Sequence, residues 1–253
     1  MANDYFRFQR FTIRQGQCAM KVGTDGTLLG AWALLPAAAE TEAPLVLDIG
    51  TGTGLIALMM AQRYPQVRVV GIDIDDAAVS QARANVAESP FASRVNIVEG
   101  DVVQPDILAG QSFDAIVCNP PFFEDALVCP DDRRTLARHA VTLSFAQLMG
   151  RARQLLTDGG ELSVVVPADG KARLESEAAL AGLFKVRQCS VFTSSLKPPR
   201  RFLMAFRRHP AELELSELAI GSDQYRTLMD GFTPSQSLDE PNVLEEYHTL
   251  LTT

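Results

Sequence analysis

Leu45-Val46-Leu47-Asp48-Ile49-Gly50-Thr51-Gly52-Thr53-Gly54, followed by Leu55-Ile56-Ala57-Leu58-Met59-Met60-Ala61-Gln62-Arg63, reads as a strand, a glycine turn and a helix. Leu45–Ile49 is apolar apart from Asp48 and reads as a strand. Glycines at 50, 52 and 54 let the chain turn tightly and let a ligand approach the backbone. Residues 55–63 are apolar on most sides and read as a helix stopped near Pro65. The N-terminus of that helix offers free N–H groups to a ligand.

The same alternation continues outward. Val67–Ile72 reads as a strand and Asp76–Glu88 as a helix, with Ala77, Val79, Ala82 and Val86 able to share a face. Val95–Glu99 and Phe113–Cys118 read as strands. Ser144-Phe145-Ala146-Gln147 matches a capping box and predicts a helix to Thr157, ended by Gly159-Gly160. Leu162–Val166 reads as a strand closed by Pro167, and Ala172–Leu183 as a helix. Val186–Thr193 and Phe202–Phe206 read as a closing strand pair joined by a loop with Lys197-Pro198-Pro199-Arg200. Toward the N-terminus, a helix is predicted from Thr27 to Leu35, ending at Pro36. Strands alternating with helices imply a mostly parallel sheet covered on both faces. Ligands in such sheets bind beyond the carboxyl ends of the strands. Asp48, Asp73, Asp101 and Asn119 are thereby expected along one edge.

The bulk numbers agree with this class. The chain has 253 residues, 47% of them hydrophobic, enough for one large α/β domain with additions. No apolar stretch reaches the roughly 18 residues of a membrane span, and the first residues lack a basic n-region before an apolar core. Four cysteines show no C-x-x-C pair, and three histidines give no zinc-ligand spacing, so no metal is expected. A reducing, cytoplasmic setting fits. A net charge of −8 argues against binding nucleic acid through the overall field, though not against a local basic rim.

Two cofactors compete for the glycine turn. Gly52 to Ala57 satisfies the dinucleotide pattern G-x-G-x-x-A, and Asp73 lies about 20 residues further on, where a ribose-binding acid belongs. Against a dinucleotide, the glycines begin directly after Asp48, as D-x-G-x-G-x-G. Asp73 ends its strand and can accept from both ribose hydroxyls. Its competing role, an N-cap for the next helix, suits Asp75 or Asp76 better. Asp101 is placed to accept from an adenine amino group or to close a turn.

The fourth strand delivers Asn119-Pro120-Pro121-Phe122. The Asn119 amide oxygen and the Pro120 carbonyl can accept the two N–H groups of a flat amine, and Phe122 can stack on its ring, worth roughly 1–3 kcal/mol. Such acceptors favour a more pyramidal nitrogen and stabilise the positive charge it develops on attack.

D-x-G-x-G-x-G resembles motif I of class I S-adenosylmethionine-dependent methyltransferases, and Asn119-Pro120-Pro121-Phe122 resembles the [DNS]-P-P-[FYW] signature of those that act on planar amino groups. Phe11-Thr12-Ile13, Cys18 through Gly26, Leu28 through Ala33, Asp48 through Gln62, Phe123, Ala137-Arg138 and Arg200 through Phe206 are similar to the bacterial tRNA1(Val) adenine-37 N6-methyltransferases. The likeness covers most of residues 6–225 and weakens beyond Tyr225. It implies an α/β, Rossmann-like class I fold: a mostly parallel seven-stranded sheet, helices on both faces and a short N-terminal extension. Residues 1–40 would then cover the cofactor and substrate site, 41–210 form the methyltransferase core, and 211–253 form a C-terminal tail. It further implies S-adenosylmethionine as methyl donor, tRNA as partner without an obligate protein partner or membrane, and methylation of N6 of the adenosine beside the anticodon.

On this reading Asn119, Pro120, Pro121 and Phe122 are catalytic. Asp48, Gly50, Gly52, Gly54, Asp73 and Asp101 bind the cofactor, with Lys21, Thr24 and Asp25 folding over its amino-acid end. Thr24 or Asp25 could instead cap the helix that follows. Arg133, Arg134 and Arg138, with Lys197 and Arg200, are expected on RNA phosphates, against the alternative of surface ion pairs with acids such as Asp131 and Asp132. The rival acceptors are guanine N2 of ribosomal RNA, DNA adenine N6 and a protein glutamine amide. The rival classes are an inactive nucleotide-binding module and an NAD-binding protein.

Overall fold

The computed structural model describes residues 4–16, 21–36, 43–120, 143–193 and 197–233. Two short strands, β1 (Tyr5–Arg7) and β2 (Thr12–Arg14), pair antiparallel as a ribbon. Helix α1 (Thr24–Trp32) follows. The core then runs β3 (Leu45–Ile49), α2 (Leu55–Arg63), β4 (Arg68–Asp73), α3 (Asp76–Ala87), β5 (Val95–Glu99), β6 (Phe113–Cys118) and α4 (Phe145–Leu155). It closes with β7 (Leu156–Pro167), α5 (Lys171–Leu180), β8 (Phe184–Phe192), β9 (Arg201–Arg207), β10 (Glu214–Ala219) and α6 (Asp223–Met229).

Among the described residues the main sheet has eight strands in the order β10-β8-β9-β7-β6-β3-β4-β5. Only β9 runs against the rest, pairing antiparallel with both β7 and β8. The expected parallel α/β class holds, with eight strands rather than seven. The added strand, β10, is an edge strand parallel to β8. Four of its six residues, Glu214 to Glu217, are exposed, so it carries no apolar alternation by which sequence could reveal it. β10 and α6 fall in the stretch expected as tail. The small β1–β2 ribbon escaped prediction for a like reason: three-residue strands give too few turns of a pattern to read.

Apolar side chains divide between the two faces of the sheet. The ribbon, α1, α2, α3 and α6 bury Phe8, Phe11, Ile13, Leu29, Met59, Val79, Met229 and their neighbours on one face. α4 and α5 bury Leu148, Met149, Leu174 and Ala178 on the other. Most predicted boundaries stand within one or two residues, and the capping box at Ser144 and Gln147 is present.

Two expectations are corrected. α1 starts at Thr24, not Thr27, with Gly23 as its N-cap and no side-chain cap from Thr24 or Asp25. α4 does not run on to Gly159-Gly160. Leu156 turns extended at ψ 137° and opens β7. The glycine pair lies inside that strand, where the register against β6 shifts between Phe113 and Ala115. A Cβ at Gly160 would stand 2.8 Å from the Phe113 carbonyl oxygen, so close backbone approach, not helix termination, demands the glycine.

Candidate active site

The carboxyl ends of β3, β4, β5 and β6 meet along one edge of the sheet, as the alternation predicted. β3 delivers Asp48 fully buried. Its Oδ2 accepts from Thr51 Oγ1 at 2.7 Å and from the Ala57 N–H at 3.0 Å. Its Oδ1 is buried without a partner among the described residues. Burial pushes the Asp48 carboxyl up from 3.8 to about 7; the bonds from Thr51 and Ala57 oppose the shift, and the nearby Asp73 charge adds to it.

The glycine turn is held from several directions. Gly50, Gly52 and Gly54 have φ of 68°, 54° and 82°, which side-chain-bearing residues seldom adopt. The N–H groups of Gly50 and Thr51 donate to the Ile72 carbonyl. The Gly52 N–H donates to Asp73 Oδ2 at 2.8 Å, and Asp73 Oδ1 accepts from the Asp75 N–H at 3.1 Å. Each Asp73 oxygen keeps acceptor capacity after these bonds, which is what two ribose hydroxyls require. Asp75, not Asp73, caps α3, through the Ala77 N–H. A Cβ built at Gly50 meets nothing within 4 Å, and at Gly52 only the Gly50 carbonyl, at 4.0 Å. The turn is thus a bare backbone shelf beside an acid, a shape that fits the adenosine and amino-acid parts of S-adenosylmethionine. Asp101 Oδ1 accepts from the Val103 N–H at 2.9 Å and closes its own turn.

Asn119 follows β6. Its Oδ1 is buried and has no hydrogen-bond partner among the described residues, and Pro120 beside it is buried. A buried amide oxygen left without a donor is costly unless a ligand supplies one. Helix α1 comes to the same place. A Cβ at Gly26 would lie 3.8 Å from Asn119 Nδ2 and 3.3 Å from Leu55 Cδ2. Helix α1 therefore comes close to the Asn119 amide. Asp25 Oδ2 accepts from Arg201 Nε at 2.7 Å, a partner at the head of β9 that no sequence spacing announced. Thr24 accepts through its carbonyl from Thr27 Oγ1. Lys21, Lys197 and Arg200 are exposed. Pro121 and Phe122, and Arg133, Arg134 and Arg138, lie outside the described residues, as do residues 234–253.

Cys118, next to Asn119, is buried in the sheet; burial first, then the Asp48 and Asp73 charges, push its thiol well above the usual range, consistent with a core role. Among the described residues no group of three or more His, Cys, Asp or Glu side chains could hold a metal ion, and no helix is long and apolar enough to cross a membrane.

The methyltransferase small domain family matches residues 26–194. A tRNA1(Val) (adenine(37)-N6)-methyltransferase from Porphyromonas gingivalis is 48% identical over 210 residues, 82% of each chain. Proteins of the same name from Bacteroides thetaiotaomicron and Histophilus somni are 44% and 39% identical, over 81% and 88% of this chain and 84% and 92% of theirs. Among solved structures, a predicted O-methyltransferase from Agrobacterium tumefaciens aligns with a TM-score of 0.62 at 18% identity, covering 84% of this chain and 98% of its own. The CcbJ methyltransferase of Streptomyces caelestis aligns at 0.51, also with 18% identity, covering 72% and 88%. These structural likenesses speak to the fold.

Proposed function

We infer what the chain does from the premise that it belongs to the methyltransferase small domain family and, within it, to the tRNA1(Val) (adenine(37)-N6)-methyltransferases. It methylates N6 of adenosine 37 of that tRNA, with S-adenosylmethionine as donor. The observation that carries this reading is Asn119 Oδ1, buried and without a hydrogen-bond partner among the described residues, at the sheet edge that also holds the glycine turn.

When bound, S-adenosylmethionine would supply a methyl group on a sulfonium: its carbon–sulfur bond would break as the adenine nitrogen's lone pair bonds to the methyl carbon, leaving the thioether, and the N6 proton would pass to water. The chain's residues do the rest. Asp73 accepts from the ribose hydroxyls, and Gly50 and Gly52 leave the backbone open to the cofactor. Asp48, through Oδ1, would contact the cofactor, Asp101 would accept from its adenine amino group, and Gly54 caps the start of α2. Lys21, Thr24 and Asp25 close over the amino-acid end as part of residues 1–40. Asn119 Oδ1 and the Pro120 carbonyl accept from the two N6 hydrogens, hold the nitrogen in line and stabilise its growing positive charge. Pro121 fixes the backbone, and Phe122 stacks on the base. Holding nitrogen and methyl in line is worth up to about 7–11 kcal/mol. The sulfonium is itself a good leaving group, so this chemistry needs no metal. Adenosine 37 is single-stranded in an anticodon loop, so turning it out costs less than opening a duplex. Arg133, Arg134, Arg138, Lys197 and Arg200 form the basic rim that meets the loop's phosphates. A tRNA-modifying role fits a cytoplasmic setting.

The test is methyl transfer from labelled S-adenosylmethionine to a panel of acceptors: tRNA1(Val) transcript, ribosomal RNA, duplex DNA and a glutamine-bearing protein. Label entering the tRNA alone is expected. Label entering another acceptor in preference, or tight binding of NAD with no binding of S-adenosylmethionine, overturns the reading.

A further inference from the structure

The Thr53 carbonyl stands between two left-handed glycines, Gly52 and Gly54. A regular helix starting here would bring it the Ala57 N–H, four residues on. That N–H donates to Asp48 Oδ2 instead. Thr53 is 5% exposed, so its carbonyl needs another donor. Asn85, on α3 and 1% exposed, provides it. Its Nδ2 donates to the Thr53 carbonyl at 2.8 Å and to the Arg14 carbonyl at 2.9 Å. Its Oδ1 accepts from the Arg14 N–H at 2.9 Å. One buried amide thereby engages both main-chain groups of Arg14 in β2 and the glycine turn at once. The Arg14–Glu88 ion pair beside it is exposed at 60% and 54% and contributes little to this joint.

We propose that Asn85 is a positioning residue for the cofactor. By replacing Ala57 as donor to Thr53, it lets Asp48 keep the Ala57 amide and holds the glycine turn in its ligand-ready shape. It also makes cofactor affinity depend on the docked N-terminal ribbon. Linkage is reciprocal, so a bound cofactor must tighten the ribbon's grip in return. The inference rests on assigning the glycine turn to S-adenosylmethionine and is independent of the methyl acceptor.

Calorimetry with S-adenosylmethionine on the parent first checks that assignment; no binding there is the failure of the cofactor reading, not of the Asn85 role. Asn85→Ala and Asn85→Asp, which both lose the donors, are then compared with Leu174→Ala, a core change on the opposite face of the sheet. The Asn85 variants are expected to weaken cofactor Kd about tenfold, the scale of one buried acceptor losing its donor. Their kcat at saturating cofactor should stay within about twofold, since nothing that touches the amine has changed. Leu174→Ala should lower Tm and leave Kd alone. A fall in Tm with unchanged Kd in both Asn85 variants makes the residue merely structural and overturns the proposal. Should either variant fail to fold, hydrogen exchange on the parent decides. Saturating S-adenosylmethionine should slow exchange of the Arg14 N–H as well as that of the turn; protection of the turn with Arg14 unchanged refutes the coupling.

Discussion

At neutral pH the Asp48 carboxyl is close to half-ionised, because burial raises its pKa from 3.8 to about 7. The folded state holds this proton more tightly than the unfolded chain does, so the stability it contributes is complete below pH 3.8 and gone once pH has risen through about 7. Asp48→Asn removes the titration. Denaturant unfolding of parent and variant across pH 4 to 8 should show the parent losing up to roughly 4 kcal/mol relative to the variant, then levelling off. A difference that stays flat across that range would remove Asp48 from the titration. Asn119 makes the other prediction at this scale. Asn119→Ala removes an acceptor for the amine and should raise the barrier by on the order of 3 kcal/mol, a fall in kcat of about two powers of ten, with cofactor Kd nearly unchanged. Transfer at the parental rate in single-turnover assays would end its assigned role.

Among the elements, β7, β8 and β9 are tied by one buried carboxylate. Glu161 is fully buried, with Arg187 Nη2 at 2.6 Å from Oε1 and Arg207 Nη2 at 2.8 Å from Oε2. The Arg187 guanidinium also lies 4.0 Å over the Trp32 ring, joining the sheet to α1. Glu161→Ala leaves a buried guanidinium without its counter-charge and should cost about 3–5 kcal/mol in urea unfolding. A loss below about 1 kcal/mol would mean the arginines relax into solvent. The strands and helices from β3 to β6 were legible in the sequence because each combines a short apolar run with turn residues at its end. Asp48, Asp73 and Asn119 were legible as edge residues for the same reason. Their partners were not. Arg201 stands 176 positions from Asp25, and Asn85 stands 71 from Arg14, separations no local pattern encodes. Asn85 was concealed further by lying on a helix face that its apolar neighbours Val79, Ala82 and Val86 already explained.

For the molecule as a whole, an acidic chain of net charge −8 must meet an anionic partner through a local rim. Lys197→Ala and Arg200→Ala together should flatten the dependence of log K on log salt for tRNA by about 0.7–0.9 for each phosphate that the two side chains neutralise. An unchanged slope puts both residues outside the RNA footprint. The atom that receives the methyl group defines the reaction. Mass spectrometry of nuclease fragments and nucleosides from tRNA1(Val), after incubation with the enzyme and isotope-labelled S-adenosylmethionine, identifies it directly. The predicted result is labelled N6-methyladenosine in the fragment that carries adenosine 37. Label on a guanine, at another adenosine, or absent from tRNA while the cofactor binds, would contradict it.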